Sequence, residues 1–595
     1  MYKATSLIFA AALLGLALGQ LEEYVVVNTT LGQVRGEVED FVGWFPTVGV
    51  ENIMTATEWA GIPYAQPPVG DLRWQPPVVM DPWTGVRDAL DFNVICYQRD
   101  IDSYYGVPVE ISEDCLYLSV WTPGDAVDPS NLNLSVMFYI HGGAFQLGTG
   151  MNPLQFGGYL AADQNVVVVG FNYRLGVMGF FSTEDDTAPG NYGLMDIIEA
   201  LRWTKANIRN FGGNPDSITI FGQSAGGAAV TYLMTSPAAN GLFNRAISQS
   251  GVATMYWAQS RDYLRELSAT LATEMNCPPD NSPAMVTCLK GRDPWEVTNT
   301  SLKINLDMQS TRDDTQSVFA PRVDGNIVPD DPLTLVTNGQ FQPVDFMTGI
   351  TNHESWPYRH MWYIMIPGIR RWVERGINSD DFDHLTAHWM RFLNYPARRT
   401  EVLAAIKQQY DINFDEDVDS LVRSAGYIDF LSDFQFIAHN DRYARLYSRN
   451  AGSSNVYNYY FSPFVSRDQR VIWEATVPNW IYATHADDVG FVFGKAKYTM
   501  EDLVTTEERL LSDEMMRTWS NFAKTGSPGS LNDVAWPAFT EANPSYLEIT
   551  TPLANVRVID SFYPERMSFW RDHVWPVLDQ PSADDGSVKI ITTVA

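Results

Sequence analysis

The feature that most constrains the fold is a serine held between two glycines where a strand gives way to a helix. The stretch Gly222-Gln-Ser-Ala-Gly226 follows an apolar, β-branched run at residues 217–221 and precedes a helical stretch that begins at Ala228. A turn this tight needs glycine on both sides of the serine, and it projects the hydroxyl out of the sheet at the positive end of the helix dipole. The context predicts a nucleophile elbow at Ser224.

The residues before this elbow alternate strand-like and helix-like patterns. Apolar runs at residues 136–140 and 165–172 have the composition of strands buried on both faces. Residues 197–211 place their apolar side chains on one arc of a helix, which Gly212-Gly-Asn-Pro215 ends. Strand, crossover helix and strand make βαβ units. We therefore predict an α/β fold with a large, mostly parallel central sheet and helices on both faces.

The sequence shows few signals of a boundary between domains. No fixed-period repeat, low-complexity run or Pro/Gly/Ser linker interrupts the sequence. Residues 264–275 have helical core spacing, and residues 356–439 are helical in pattern and rich in Trp and Arg. We predict helices packed over the sheet, in one domain that spans residues 20–575 and is followed by a tail at residues 576–595.

The first nineteen residues are typical of an export signal. Lys3 precedes an apolar stretch at residues 7–18, and Ala17-Leu-Gly19 places cleavage before Gln20. No later segment is an uninterrupted apolar run of 18 residues, so the sequence predicts a secreted protein without a transmembrane segment. A net charge of -31, from 40 Lys+Arg against 71 Asp+Glu, excludes the basic surface that nucleic-acid binding needs.

Four cysteines in an exported protein usually pair, and three connectivities are possible. The spacings favour two local disulfides, one between Cys96 and Cys115 and one between Cys277 and Cys288. Three triplets fit the N-glycosylation pattern. They begin at Asn28, Asn133 and Asn299.

A glycine-rich loop, His141-Gly-Gly-Ala144, follows the strand-like run at residues 136–140. Its N–H groups can face the nucleophile, and Gly142 and Gly143 together with Ala225 would offer three donors to a developing oxyanion. Losing one such donor typically lowers the rate on the order of 100- to 1000-fold.

A nucleophilic serine needs a base, and this fold class supplies it in the order serine, acid, histidine. His384 and His388 share a helix face but lack the glutamate of a zinc-protease motif. The acidic stretch at residues 411–416 fails as a calcium loop, so no metal is predicted. His485, in a polar turn, and Glu354, near the end of a strand-like run, are the preferred candidates, although spacing leaves the other histidines open.

Several motifs together resemble the cholinesterase and type-B carboxylesterase family of the α/β-hydrolase fold. They are Gly61-Ile-Pro-Tyr-Ala65, Glu113-Asp-Cys-Leu-Tyr-Leu118 and the serine signature at residues 221–227. The resemblance covers most of the mature chain in order. It implies a triad of Ser224, Glu354 and His485, an oxyanion hole at Gly142, Gly143 and Ala225, and the two local disulfides. It also implies hydrolysis of carboxylic esters without a cofactor.

Within the family, the stretches Ser248-Gln-Ser-Gly-Val-Ala253 and His485-Ala-Asp-Asp488 look closest to bile-salt-activated lipase, or cholesterol esterase. Trp257 stands where relatives place a tryptophan of the acyl pocket, with plain core packing as the alternative. The acid departs from that branch, which carries Asp where this chain has Glu354, and His141 stands in place of its usual Tyr.

Two other functions remain open from the sequence. A choline esterase would stack its substrate's ammonium group on a Trp between Cys96 and Cys115, but that loop contains Tyr104 and Tyr105 instead. Neuroligin-like adhesion proteins share the fold and act by binding, usually after losing a triad residue. Oligomeric state cannot be read from the sequence.

Overall fold

The computed structural model describes residues 23–43, 52–98, 109–125, 128–260, 264–311, 319–356, 399–410, 420–466, 480–498 and 504–579. Its strands are β1 Tyr24–Asn28, β2 Gln33–Gly43, β3 Asn52–Pro63, β4 Val86–Asp88, β5 Val94–Cys96, β6 Glu110–Ser112, β7 Tyr117–Pro123, β8 Leu134–Ile140, β9 Val167–Phe171, β10 Gly213–Gln223, β11 Arg245–Gln249, β12 Asp345–Thr351, β13 Val456–Phe461, β14 Ser530–Leu531, β15 Val534–Ala535, β16 Tyr546–Ile549 and β17 Arg557–Ile559.

Its α-helices are α1 Gly157–Gln164, α2 Gly176–Phe180, α3 Tyr192–Asn207, α4 Ala225–Thr235, α5 Leu264–Glu274, α6 Ser282–Lys290, α7 Pro294–Thr311, α8 Pro332–Thr337, α9 Arg399–Gln409, α10 Ser420–Ser432, α11 Ala438–Asn450, α12 Val489–Val492, α13 Lys495–Tyr498, α14 Thr506–Thr525, α15 Pro564–Phe569 and α16 Trp575–Leu578. Two π-helical turns occur, at Asp433–Ile437 between α10 and α11 and at Trp570–Val574 between α15 and α16.

One large sheet organises the described residues. Its strand order is β1-β2-β3-β7-β9-β8-β10-β11-β12-β13-β16-β17, with β4 beside β2. The strands from β9 to β16 in this order pair in parallel, and the pairs at the two ends, from β1 to β9 and between β16 and β17, are antiparallel. The predicted α/β architecture with a mostly parallel sheet is confirmed.

The central strands are buried on both faces, as their apolar runs predict. In β8, Val136, Phe138 and Ile140 join one hydrophobic core, whereas Met137 and Tyr139 join a second core on the opposite face. Side chains alternate along a strand, so an uninterrupted apolar strand fills both cores at once. Helices α3, α4 and α11 contribute to the first core, and α1 and α14 contribute to the second.

Two boundaries differ from the sequence prediction. Strand β10 begins at Gly213 rather than at residue 217, because Gly213 already pairs with Leu134 before the register shifts towards Ile218. Helix α3 ends at Asn207, and a separate 3₁₀ turn, Ile208–Phe211, carries the chain into the strand. The helical prediction for residues 356–439 is confirmed for the described part, in α9 to α11. Residues 357–398 and 411–419 lie outside the described residues.

Candidate active site

Ser224 occupies the sharp turn between β10 and α4. Its backbone lies at φ 58 and ψ −124, a region that non-glycine residues rarely adopt. Any side chain at either flanking glycine would clash with the backbone. A Cβ on Gly226 would lie 1.9 Å from the Ile140 carbonyl oxygen, and a Cβ on Gly222 would lie 2.5 Å from the Gly226 carbonyl carbon. The turn therefore holds Ser224 in a strained conformation at the N-terminus of α4, where the helix dipole is positive.

The strand register brings further polar groups to the same edge. Gln223 pairs with Gln249 across β10 and β11, and Gln249 pairs with Gly349 across β11 and β12. These three parallel strands thus end almost level. The residue that follows β11, Ser250, donates its backbone N–H to the Gly349 carbonyl oxygen at the end of β12 and its hydroxyl to Glu354. Ligand and catalytic groups of open α/β sheets gather at this carboxyl edge.

Glu354 and His485 form a direct, buried contact. His485 Nδ1 lies 2.6 Å from Glu354 Oε2, and Glu354 is completely buried. The second carboxylate oxygen, Oε1, accepts hydrogen bonds from Ser250 Oγ at 2.6 Å and from the Thr351 backbone N–H at 2.7 Å. A carboxylate on Nδ1 fixes the imidazole tautomer that leaves Nε2 as a proton acceptor.

Two aspartates hold the turn that carries His485: Asp487 bonds within the turn, and Asp488 bonds to the sheet. Asp487 Oδ2 accepts from the backbone N–H and the hydroxyl of Thr484, at 2.7 and 2.9 Å. Asp488 Oδ2 accepts from Gln249 Nε2 at 2.8 Å and from the Tyr459 hydroxyl at 2.7 Å. Burial raises the pKa of the Asp488 carboxyl, and the nearby Glu354 charge raises it further. The bonds of Asp488 anchor the turn that carries His485 to β11 and β13.

The other ring nitrogen of His485 meets the residue before the nucleophile. Gln223 Nε2 lies 3.1 Å from His485 Nε2 and is hydrogen-bonded to it. Among the described residues no hydrogen bond joins Ser224 Oγ to His485. Such bonds are often loose in unliganded enzymes and tighten when substrate binds.

The loop after β8 packs against the elbow as an oxyanion loop must. A Cβ on Gly142 would lie 3.0 Å from Ser224 Cβ, and one on Gly143, at φ 113, would lie 1.9 Å from the Leu147 carbonyl oxygen. Ala225 is the first residue of α4, and the first N–H groups of a helix have no intrahelical acceptor. The structure thus places Gly142 directly against Ser224, and Gly143 follows it in the same turn.

His141, the first residue of this loop, packs against Tyr173. Its ring stacks on Tyr173 with centroids 4.4 Å apart, and the Tyr173 hydroxyl donates to the His141 carbonyl oxygen at 3.0 Å. Burial lowers the pKa of His141 to about 4, so this imidazole is neutral at neutral pH. A packed, uncharged ring here stiffens the start of the glycine-rich turn.

A sequence model described as the carboxylesterase family matches residues 23–570. The chain belongs to the carboxylesterase family. It is similar to carboxylesterase 5A of Canis lupus familiaris, at 34% identity over 96% of this chain and 92% of that protein. Pyrethroid hydrolase Ces2a of Mus musculus is 34% identical over 93% of this chain and 92% of its own length. Neuroligin-2 of Mus musculus is 31% identical over 94% of this chain and 69% of its own length. Membership and the esterase relatives support an ester hydrolase.

In this carboxylesterase-family chain, Trp257 and His485 both pack near the ring of Phe436. It sits in the 3₁₀ turn Tyr256–Ala258, and its indole N–H donates to the Gln435 carbonyl oxygen at 3.2 Å. The Phe436 ring lies 5.5 Å from Trp257 and 4.6 Å from His485, centroid to centroid. Gln435 and Phe436 belong to the π-helical turn Asp433–Ile437, and such turns are frequent at functional sites.

Both expected disulfides are present. Cys96 pairs with Cys115, and Cys277 pairs with Cys288. The three candidate glycosylation residues, Asn28, Asn133 and Asn299, are all exposed, as a modified asparagine must be.

Several sequence predictions fall outside the described residues. They concern the export signal at residues 1–19, Tyr104 and Tyr105 of the first disulfide loop, His384, His388 and the acidic stretch at residues 411–416. Within the described part of the carboxylesterase-family chain, no group of three or more His, Cys, Asp or Glu side chains could hold a metal ion. No helix among the described residues is long and apolar enough to cross a membrane.

Sequence reasoning missed four residues of this site. Ser250 carries the strongest available signal, since it stands in Ser248-Gln-Ser-Gly251 directly after a strand-like run. The contact between Gln223 and His485 and the approach of Phe436 join segments far apart in the chain, and no local pattern marks them. Asp488 was part of a motif, but its hydrogen bonds to Gln249 and Tyr459 could not be read from the sequence.

Proposed function

We propose that the protein is a serine carboxylesterase that works through an acyl-enzyme, with Ser224 as nucleophile, His485 as base and Glu354 as the acid that orients it. The observation that carries this proposal is the 2.6 Å contact between His485 Nδ1 and Glu354 Oε2 beside a strained serine elbow. Nucleophile, acid and base also follow one another along the chain in the order typical of this fold.

In this mechanism His485 Nε2 takes the proton of the Ser224 hydroxyl as Ser224 Oγ attacks the ester carbonyl carbon. The negative oxygen of the tetrahedral intermediate accepts hydrogen bonds from the N–H groups of Gly142, Gly143 and Ala225. Glu354 stabilises the imidazolium without taking its proton. His485 then protonates the leaving alcohol, and water releases the acid from Ser224 by the same steps in reverse.

We infer that the substrates are general or lipid carboxyl esters whose acyl chain lies beside Trp257 and Phe436. The two rings form an apolar surface next to the base, which suits an aliphatic acyl group. Similarity to carboxylesterases over nearly the whole chain supports a general carboxyl ester. A preference like that of bile-salt-activated lipase rests on the resemblance of the sequence motifs.

The test is hydrolysis of p-nitrophenyl butyrate, acetylthiocholine and a cholesteryl ester by the full-length protein, each with and without bile salt. Ser224→Ala is the catalytic variant, and Ser268→Ala is a matched control. The Ser268 hydroxyl is also buried, but it donates to the Ser182 carbonyl oxygen and not to a residue of the proposed triad. We expect butyrate turnover that Ser224→Ala abolishes and Ser268→Ala keeps. Turnover confined to acetylthiocholine would favour the cholinesterase alternative, and turnover that needs bile salt would favour the lipase branch.

The similarity to neuroligin-2 supports one different function, a binding or adhesion protein with a silent site. The intact contact between base and acid argues against it, because a site without catalysis has no need for a buried imidazole–carboxylate pair. A fluorophosphonate that labels only an activated serine separates the two. Failure to label Ser224, together with no turnover on any ester, would leave the binding function.

We also propose that the chain is exported, as its N-terminal pattern predicts. The two disulfides support this, since such bonds persist mainly in oxidising compartments. N-terminal sequencing of protein recovered from the culture medium tests the proposal. A mature chain that begins at Gln20 would support it, and a chain retained inside the cell with residues 1–19 still attached would contradict it.

A further inference from the structure

Gln223 stands between the base and the oxyanion loop. It is the last residue of β10, is 5% exposed, and directly precedes Ser224. Its Nε2 is hydrogen-bonded to His485 Nε2 at 3.1 Å. Its Oε1 lies on the side of the oxyanion loop, since a Cβ on Gly142 would be 3.1 Å away from it.

The amide therefore meets the ring nitrogen that would take the serine proton. Because Nδ1–H is directed at Glu354, neutral His485 offers only the lone pair of Nε2, and the Gln223 amide donates to it. Once Nε2 is protonated it becomes a donor, and the amide can meet it only by turning its oxygen inward. Gln223 can thus serve both forms of the imidazole without adding a charge.

Two carboxyl groups lie near His485. Glu354 contacts Nδ1, and the buried Asp488 carboxyl lies close enough to interact with the ring electrostatically. The π-helical turn contributes the apolar ring of Phe436, while its own acidic residue, Asp433, is bound to Arg566. A further carboxylate at Nε2 would favour the imidazolium strongly and keep the base occupied by a proton.

We propose, on the basis of the function proposed above, that Gln223 is a positioning residue for His485. Its uncharged amide holds the imidazole through Nε2, and because it adds no negative charge there, the imidazole stays unprotonated and available as a base at mildly acidic pH. The absence of a negative charge at this position keeps activity from being lost at a higher pH, and the hydrogen bond of the amide holds the ring in place. Its amide must release or turn for Ser224 to donate to Nε2, which couples the nucleophile to the residue beside it.

The experiment compares the pH dependence of kcat/KM on p-nitrophenyl butyrate for the wild-type protein and Gln223→Glu, from pH 5 to 9. Each protein is also labelled with a fluorophosphonate across the same range, which requires an activated Ser224 but no turnover. We expect Gln223→Glu to move the acid limb of both profiles upward by about 1 to 2 pH units. The new carboxylate and His485 would share a proton, and the shift belongs to the pair.

Gln435→Glu is the matched control. Gln435 is also buried, and its Oε1 accepts from Ser355 Oγ at 3.0 Å, a role that a glutamate oxygen can keep. This variant adds a buried carboxylate near the site without contact at Nε2, and we expect less than half the displacement seen in Gln223→Glu. Gln223→Met removes both the charge and the hydrogen bond. We expect its plateau to fall by about three- to tenfold, with the acid limb moved by less than about half a unit.

An acid limb in Gln223→Glu within about 0.3 units of the wild type, or an equal displacement in Gln435→Glu, would overturn the inference and leave the esterase assignment intact. If Gln223→Glu fails to fold, an unchanged plateau in Gln223→Met overturns it instead. Wild-type protein that neither hydrolyses the ester nor reacts with the fluorophosphonate would overturn the proposed function, and the role of Gln223 with it.

Discussion

Replacing Ser250 by alanine removes one hydrogen-bond donor from the Glu354 carboxylate, which contacts His485 and is proposed to orient it as the base. Ser250 Oγ lies 2.6 Å from Glu354 Oε1, and both residues are completely buried. The backbone at Ser250 lies at φ 50, a conformation that alanine and serine adopt with similar difficulty, so the change removes the hydroxyl and little else. Glu354 would retain the Thr351 backbone N–H and His485.

A hydrogen bond to a charged, buried group contributes about 1.5 to 3 kcal/mol. The loss destabilises the folded protein by this amount, because no solvent reaches the carboxylate. We expect roughly half of it to appear in the transition state, where Glu354 must hold the imidazolium in register. At 1.36 kcal/mol per tenfold in rate, kcat/KM then falls about 4- to 13-fold.

The assay is steady-state hydrolysis of p-nitrophenyl butyrate together with thermal unfolding of the same preparations. Ser268→Ala is the control, since its hydroxyl donates to the Ser182 carbonyl at 2.7 Å in an equally buried place remote from the triad. We expect both variants to lose thermal stability and only Ser250→Ala to lose catalytic efficiency. Wild-type kinetics in Ser250→Ala, within twofold, would refute the argument that Ser250 positions the acid.

Three further predictions concern other parts of the fold. Arg566→Met should lower stability by about 3 to 5 kcal/mol in chemical unfolding, because it leaves the buried Asp433 carboxylate without the guanidinium that now binds it through two 2.6 Å bonds; a loss below about 1 kcal/mol would contradict this. Burial, reinforced by Glu39, raises the pKa of Glu58 to about 8, so the fold favours its neutral form and loses stability as the pH rises from about 4.5 to about 8. Glu58→Gln should therefore be about 1 to 2 kcal/mol more stable than wild type at pH 9 and no more stable at pH 4. The expected gain is modest because the Glu58 side chain is partly exposed. Equal stability of variant and wild type at both pH values would refute this prediction. Trp257→Ala should shift the preference among p-nitrophenyl esters towards longer acyl chains, and an unchanged profile would indicate that Trp257 serves packing alone.

The sequence predicts the parts of this protein that local chemistry determines. The elbow at Ser224 can be predicted because the strand, the glycines and the helix are contiguous in the sequence. The short spacings between Cys96 and Cys115 and between Cys277 and Cys288 likewise favour the two disulfides that the structure contains. The βαβ order predicts the parallel sheet.

What the sequence leaves open depends on contacts between distant segments. Spacing could not choose His485 among several histidines, and resemblance to a family supplied that choice. The hydrogen bond from Ser250 to Glu354 follows from the level ends of β11 and β12, which only the parallel register reveals. The π-helical turn that brings Phe436 to His485 cannot be predicted either, because a single wide turn leaves the helical pattern nearly unchanged.

The separation of the triad along the chain has a consequence for biosynthesis. His485 meets a carboxylate 131 residues earlier and an amide 262 residues earlier. A nascent chain emerging from the ribosome completes the elbow long before His485 has been added, so under the proposed mechanism Ser224 has no base until that segment is made. Contacts of such long sequence separation form late and slowly. The appearance of a labelled serine during translation and refolding would therefore report that the fold has been completed at least as far as His485, and not merely in the first half of the chain.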